Sequence, residues 1–160
     1  MNKLARTIAY FDRLPTPIRR RAVSAFMGRM VPFVGTASAR IDEMSARRVV
    51  VVIPNRRHVQ NHIRGVHAAA MTLAAETASG FVVGMNVPDD RLPLMKSLRV
   101  EFRKRLQGAI RVEATLTDEQ LREIAEQQKG EVSVRLTASD DAGQEPIVCE
   151  MVWAWVPKKR

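Results

Sequence analysis

Hydrophobic positions along the chain change period three times. Near the N-terminus Leu4, Ile8 and Phe11 recur at helical spacing, with Tyr10 and Leu14 alongside, until Pro15 stops the run. Thr16 before Pro17 predicts an N-cap followed by proline at the first helical position. Val23, Phe26, Met27 and Met30 then form a second stripe, opposite the run Arg19, Arg20, Arg21. Residues 1–34 are therefore expected to form a basic, amphipathic helical arm, and residues 35–160 the main domain. Beyond the arm, residues 49–53 are a continuous β-branched run ended by Pro54, which predicts a buried strand; a hairpin partner is expected within residues 36–44. Residues 55–65 are polar and predict a loop. Residues 66–79 are rich in alanine and apolar on nearly every side, which predicts a buried helix about 21 Å long, with Gly80 as its C-cap.

The remainder reads mainly as strands. Residues 81–87 are expected to be extended. Leu98, Val100 and Phe102 alternate with Arg99, Glu101 and Arg103. Ile110, Val112, Ala114 and Leu116 repeat the pattern, as do Val132, Val134, Leu136 and Ala138. A turn over residues 140–143 leads to a closing strand, 147–156, that carries Trp153 and Trp155. Residues 117–128 open like a capped helix and interrupt the meander. One buried helix followed by antiparallel strands is an α+β pattern in which the sheet wraps the helix.

Composition narrows the class. With 46% hydrophobic and 27% charged residues in 160, the chain is that of a soluble globular domain. A domain of this length buries about 70% of its unfolded surface and needs no metal or disulfide to hold a core. Cys149 is the sole cysteine, which excludes an internal disulfide and fits a reducing, cytoplasmic setting. No apolar run approaches the roughly 20 residues of a membrane span. The formal net charge is +9, but residues 1–40 hold eight basic side chains against the lone Asp12, and residues 41–160 are near balance. The excess belongs to the arm, as a solvated face, a cover for an apolar groove, or a weak contact with an anionic membrane surface. Nucleic acid is not expected as a partner, because the aromatics (5%) do not interleave with the basic residues.

The densest polar chemistry flanks the alanine-rich helix. Glu76 is the only carboxylate between Glu43 and Asp89, and no cation stands three or four residues from it. If buried, its pKa should rise, which suits a general base or nucleophile; the other reading is a solvent-facing or distantly paired carboxylate. At the helix N-terminus the amides of Ala68 and Ala69 have no partner within the helix and could bind an oxyanion. His67 stands at the same junction, either as a cap or as a group that orients a carbonyl. His58, His62 and His67 are badly spaced for a metal, and none is expected. The cluster Arg103, Lys104, Arg105 offers contacts to phosphate or a solvated strand end.

The order of Asn61, Gly65, His67, small residues, Leu73, Glu76 and Gly80, followed by strands, resembles the hotdog-fold acyl-CoA thioesterases. The likeness is closest to the phenylacetate-degradation type and to a related branch of domains of unknown function. That family places an Asn before a His-Gly-Gly turn and an acidic residue nine positions after the His; Asn61, His67 and Glu76 keep those spacings. The resemblance covers residues 36–157 and implies an antiparallel sheet around a central helix. It also implies a side-by-side homodimer, or a dimer of dimers, with sites at the interface. By it Glu76 is the catalytic carboxylate, Asn61 holds water or substrate, the Ala68 amide forms the oxyanion hole, and Ser97 supplies a helper hydroxyl. Gly65 and the cluster at 103–105 would meet the coenzyme A portion of the substrate, with no separate cofactor. Ala68 and Ala69 replace the two glycines, and Arg64 stands where relatives have a small residue. Hydrolysis of a thioester is thus expected, with acyl-CoA binding without turnover as the alternative.

Overall fold

In the computed structural model, which describes residues 1–159, the arm folds as α1 (Lys3–Phe11), α2 (Thr16–Met30) and α3 (Pro32–Thr36). The hairpin β1 (Arg40–Met44) and β2 (Arg48–Ile53) leads through a 3-10 turn at Arg57–Val59 into α4 (Ala68–Gly84). Then come β3 (Arg91–Phe102), β4 (Ile110–Thr115), α5 (Asp118–Glu126), β5 (Gly130–Asp140) and β6 (Ile147–Pro157). The strands form one six-stranded sheet, every pair antiparallel, in the order β1-β2-β4-β5-β6-β3. The sheet curls around α4, which packs against β2 and β4 on one side and β3, β5 and β6 on the other. This is the hotdog arrangement. Six alanines let the surrounding strands approach α4 closely, and eleven of its residues are buried.

Several elements differ from the sequence expectation. Gly80 does not cap α4, and residues 81–84 are its last turn rather than the start of a strand; Met85 is the C-cap. The run Phe81, Val82, Val83 has strand propensity, but all three are buried in the core, and burial outweighs a preference worth tenths of a kcal/mol per residue. Gly80 is needed for contact: a Cβ there would lie 2.7 Å from Cζ2 of Trp153. Helix α4 begins at Ala68 rather than residue 66, because Val66 bridges to Gln60. Thr16 is already helical and Pro15 is the N-cap, with no side-chain capping bond. Helix α3 was not expected, and it takes up part of the segment assigned to the hairpin partner. Strand β3 starts at Arg91, not Leu98, and tolerates Pro93 because it lies at the edge of the sheet.

The arm joins the core directly. Ala5, Ile8, Val23, Met27 and Val34 are buried in the same apolar cluster as α4. Asn2 caps α1 by accepting from the Ala5 N–H at 2.8 Å, while its amide donates to the carbonyls of Gly84 (2.7 Å) and Val87 (2.6 Å). One side chain thus satisfies the start of α1 and the end of α4. Among the described residues no helix is long and apolar enough to cross a membrane.

Candidate functional site

The loop between β2 and α4 takes its shape from Asn61. Its Oδ1 accepts from the N–H groups of Ile63 (3.1 Å) and Gly65 (3.0 Å). The backbone closes the same turn, with Asn61 N–H donating to Gly65 O at 2.8 Å and Arg64 N–H to Asn61 O at 3.1 Å. This is the local competition that asparagine wins in turns, and it forces Arg64 to a left-handed φ of 60°. A non-glycine residue there carries strain of about 1 kcal/mol. With Oδ1 committed to the turn, the half-buried Asn61 keeps Nδ2 as a donor. Asn55 braces the loop from outside, donating to Arg64 O at 3.1 Å.

His67 is the N-cap of α4: its Nδ1 accepts from Ala69 N–H at 3.0 Å, which leaves Nε2 as the ring's donor. Of the two readings of this histidine, the cap describes the geometry. The bond consumes one of the two amides offered for an oxyanion. Ala68 N–H donates to no protein group among the described residues, and it sits at the positive end of the helix dipole. Next to it lies a cleft of about 210 Å³, lined by His67, Ala69, Ala70 and Leu73, by His58 and Val59, and by Phe33 of α3. Phe33 and His58 were not singled out as site residues in the sequence. Neither has a local signal, because the cleft exists only where α3 folds back over the start of α4.

Glu76 is half-buried on α4 and has no cationic partner among the described residues; its carboxylate accepts one hydrogen bond there, a long one from Thr77 Oγ1 at 3.5 Å. Burial pushes its carboxyl above the usual range, and the Thr77 bond only partly opposes this. Eight residues of helix separate it from Ala68, about 12 Å along the axis and about 80° around it. Within one chain, therefore, the carboxylate and the open amide lie more than two turns of helix apart, too far to meet at one carbonyl. Ser97 is exposed on β3, just past a bulge between Met95 and Ser97, with no bond to Glu76. The basic cluster divides: Arg103 is paired with Glu101 at 2.6 Å and Lys104 is exposed. Arg105 lines a second cleft with Gly65, Arg64, Asn55, Leu106 and Gln107.

Comparison with known proteins agrees with this architecture. Residues 19–156 match the family model described as a domain of unknown function, DUF4442, so the match takes in α2 as well as the sheet. A Pseudomonas aeruginosa protein of unknown function, described as a probable thioesterase, superposes with a TM-score of 0.75 at 26% identity, covering 91% of this chain and 97% of that one. A Silicibacter pomeroyi thioesterase family protein gives 0.65 at 16% identity, over 84% and 96%. A thioesterase enzyme from Staphylococcus aureus gives 0.68 at 16% identity, over 79% and 100%. No curated protein matches the sequence.

Proposed function

The chain belongs to the DUF4442 family and has the hotdog fold, and from that premise we propose that it hydrolyses an acyl-CoA or related thioester to a free acid and a thiol. The observation that carries this reading is Glu76, a carboxyl raised by burial and unpaired on an otherwise apolar helix. As a base, its carboxylate takes a proton from water, and the hydroxide attacks the thioester carbonyl. The oxyanion accepts from the Ala68 N–H, the C–S bond breaks, and the departing thiolate takes the proton back from Glu76. As a nucleophile, the same carboxylate attacks the thioester carbonyl and expels the thiolate to form an anhydride. Water then opens it, releasing the acid, restoring the carboxylate and supplying the thiolate's proton. Asn61 Nδ2 holds the water or the carbonyl, and Ser97 is a candidate helper hydroxyl. The names of the structural relatives support the same reaction class.

Because Glu76 and Ala68 lie more than two helical turns apart in one chain, the reading requires two: Glu76 of one protomer against the 61–68 loop of the other. The free edge of the sheet supports this. Strand β3 is twelve residues long, pairs only with β6, and exposes Leu92, Leu94, Leu98 and Phe102. Long apolar edges of this kind pair with another chain. The arm, with exposed Tyr10, Ile18 and Met30 beside Arg13, Arg21 and Arg29, supports weak contact with an anionic surface rather than with nucleic acid.

Glu76→Ala is expected to lower kcat/KM on acyl-CoA at least about 100-fold, with the circular dichroism spectrum unchanged. Wild-type turnover by the folded variant would remove Glu76 from the mechanism. One observation favours the alternative of a non-catalytic acyl-CoA binder: the His67 cap leaves a single amide, not two, for the oxyanion. Tight acyl-CoA binding without hydrolysis over hours is the result that selects it.

A further inference from the structure

The outer face of α2 carries charge that the rest of the chain does not neutralise. Between Asp12 and Asp42 there are six arginines and no acidic residue. Arg19 pairs with Asp12 at 2.8 Å and Arg40 with Asp42 at 2.6 Å, while Arg20 Nε donates to the Asp42 carbonyl at 3.2 Å. Arg21 and Arg29 are exposed, and neither forms an ion pair among the described residues. Both line a shallow hollow of about 550 Å³ between α2, α3 and the start of β1, with no carboxylate in its wall. We propose that this hollow and the corner between α2 and α3 form a docking surface for an anionic phospholipid bilayer. Arg21 and Arg29 hold the lipid phosphates, and Met30 and Phe33 insert among the headgroups. The inference rests on the reading of the arm above as contacting an anionic surface, and it names the lipid, the seat and the residues.

Backbone packing, not the arginines, builds the hollow. Helices α2 and α3 touch at Gly28 and Gly35, where a Cβ on Gly35 would lie 2.7 Å from Gly28 O. Ser24 Oγ accepts from Ile41 N–H at 2.8 Å and donates to Arg20 O at 2.7 Å, which ties α2 to β1. Arg21 and Arg29 take no part in these contacts, so the fold does not account for them. The face is also not uniformly polar. Ile18, Arg21, Ala25 and Arg29 are all exposed and lie within about 80° of one another around α2. Just beyond them Met30 is 54% and Phe33 64% exposed, with Pro32 exposed between the two. Arginine interleaved with exposed apolar side chains is the pattern of a segment lying in a membrane interface, where phosphate answers the charge and acyl chains answer the apolar atoms.

Other occupants fit this face less well. Sites for small molecules bury most of their ligand, and a shallow hollow cannot enclose a free anion. A second copy meeting the same face would set arginine against arginine, with no carboxylate to answer. The backbone of a nucleic acid would answer the arginines but leave Ile18, Met30 and Phe33 without apolar partners. A bilayer satisfies both kinds of side chain at once. Phe33 also lines the cleft beside His67, and the segment 33–39 walls both concavities. Docking by this corner therefore brings one wall of that cleft to the lipid surface.

The test is co-sedimentation of the full chain with vesicles of phosphatidylcholine alone, and of phosphatidylcholine with about 30% phosphatidylglycerol, at two salt concentrations. Binding to the anionic vesicles is expected to be at least about 10-fold tighter than to the neutral ones and to weaken with salt. Arg21→Ala and Arg29→Ala should each weaken it about 5-fold, and together about 30-fold. Arg122→Ala, which removes an exposed arginine on α5, is the control and should change it less than about 2-fold. Met30→Ser combined with Phe33→Ser should weaken binding about 10-fold or more, by the same factor at both salt concentrations. All four side chains are exposed, so Tm should stay within about 2 °C of wild type in every variant. Wild-type binding that none of these substitutions weakens overturns the corner and leaves the arm's surface contact to Tyr10 and Arg13. No binding to anionic vesicles overturns both. Binding to duplex DNA at the same salt, in place of vesicles, overturns the lipid assignment. None of these outcomes depends on turnover, so Glu76→Ala judges the hydrolase reading separately.

Discussion

Glu76 is the one acidic side chain on α4, and desolvation holds its carboxyl above the usual carboxylate range. Two consequences follow from the sign of that shift. Between the unfolded and folded pKa values the native state binds more protons, so the contribution of Glu76 to stability is fully present at low pH and is lost as pH rises through the folded pKa. At neutral pH the ionised, half-buried group is therefore a liability. Glu76→Gln is expected to raise Tm at pH 7, with the difference shrinking toward pH 4, as thermal melts at the two pH values will show. The same shift governs activity. A base must be ionised, so wild-type kcat/KM should fall on the acid side with a midpoint above the usual carboxylate range. A variant that gains stability while losing function is the signature of a residue kept for chemistry. At this scale the sequence offers Glu76 and His67 as candidates because each breaks a local pattern, and Asn61 through the family resemblance. Arg64 reads there only as a departure from relatives, and its place beside Arg105 depends on two loops meeting.

Helix α4 shows how an element can mislead a local reading. Glycine after an alanine-rich stretch followed by a β-branched run is a fair stop signal, yet the helix continues for four residues. Burial of Phe81, Val82 and Val83 carries it on, and Gly80 makes room for Trp153, whose Nε1 donates to Ser79 Oγ at 3.0 Å. A terminating glycine and a contact glycine predict opposite effects of Gly80→Ala. Alanine gains about 1 kcal/mol in helix propensity. It also places a methyl group 2.7 Å from a buried ring that its own hydrogen bond holds still, and overpacking of this kind costs about 1–3 kcal/mol. The net expectation is destabilisation, with Tm lowered by a few degrees on a scale of about 2–4 °C per kcal/mol. Urea or thermal unfolding of this variant decides between the two: a stabilised Gly80→Ala protein would contradict the packing account. Strand β3 makes the complementary point. Pro93 ends a strand in a local reading, but at an edge its missing N–H costs no ladder bond to a neighbour.

For the whole molecule, the proposed reaction calls for two chains, because Ala68 and Glu76 lie more than two turns apart on α4. An equal mixture of Glu76→Ala and Asn61→Ala protomers, each inactive alone, tests this after exchange of subunits. Half of the resulting dimers are mixed, and in a shared-site dimer each of these has one site with both residues intact. Activity should recover to about a quarter of wild type. No recovery after demonstrated exchange would place both residues in one chain's site. The net charge also resolves at this scale. Much of it lies on the outer faces of α1 and α2, whose inner faces carry Ala5, Ile8, Val23 and Met27 into the core. The arm is thus at once the most charged part of the chain and a wall of the fold, with Phe33 at the mouth of the cleft beside His67.

The sequence by itself determined the fold class, the order of most elements and the buried helix at the centre, and it offered His67 and Glu76 as candidates. Those features rest on hydrophobic period, turn chemistry and the isolation of one carboxylate, and all of these are local. Tertiary structure alone decided where α4 ends, because burial of Phe81, Val82 and Val83 in the core carries the helix past Gly80. It decided that His67 spends its Nδ1 on a cap, that Glu76 is half-buried, and that Arg64 and Arg105 share a cleft. Each of these depends on distance between segments remote in sequence, or on which way a helix face turns.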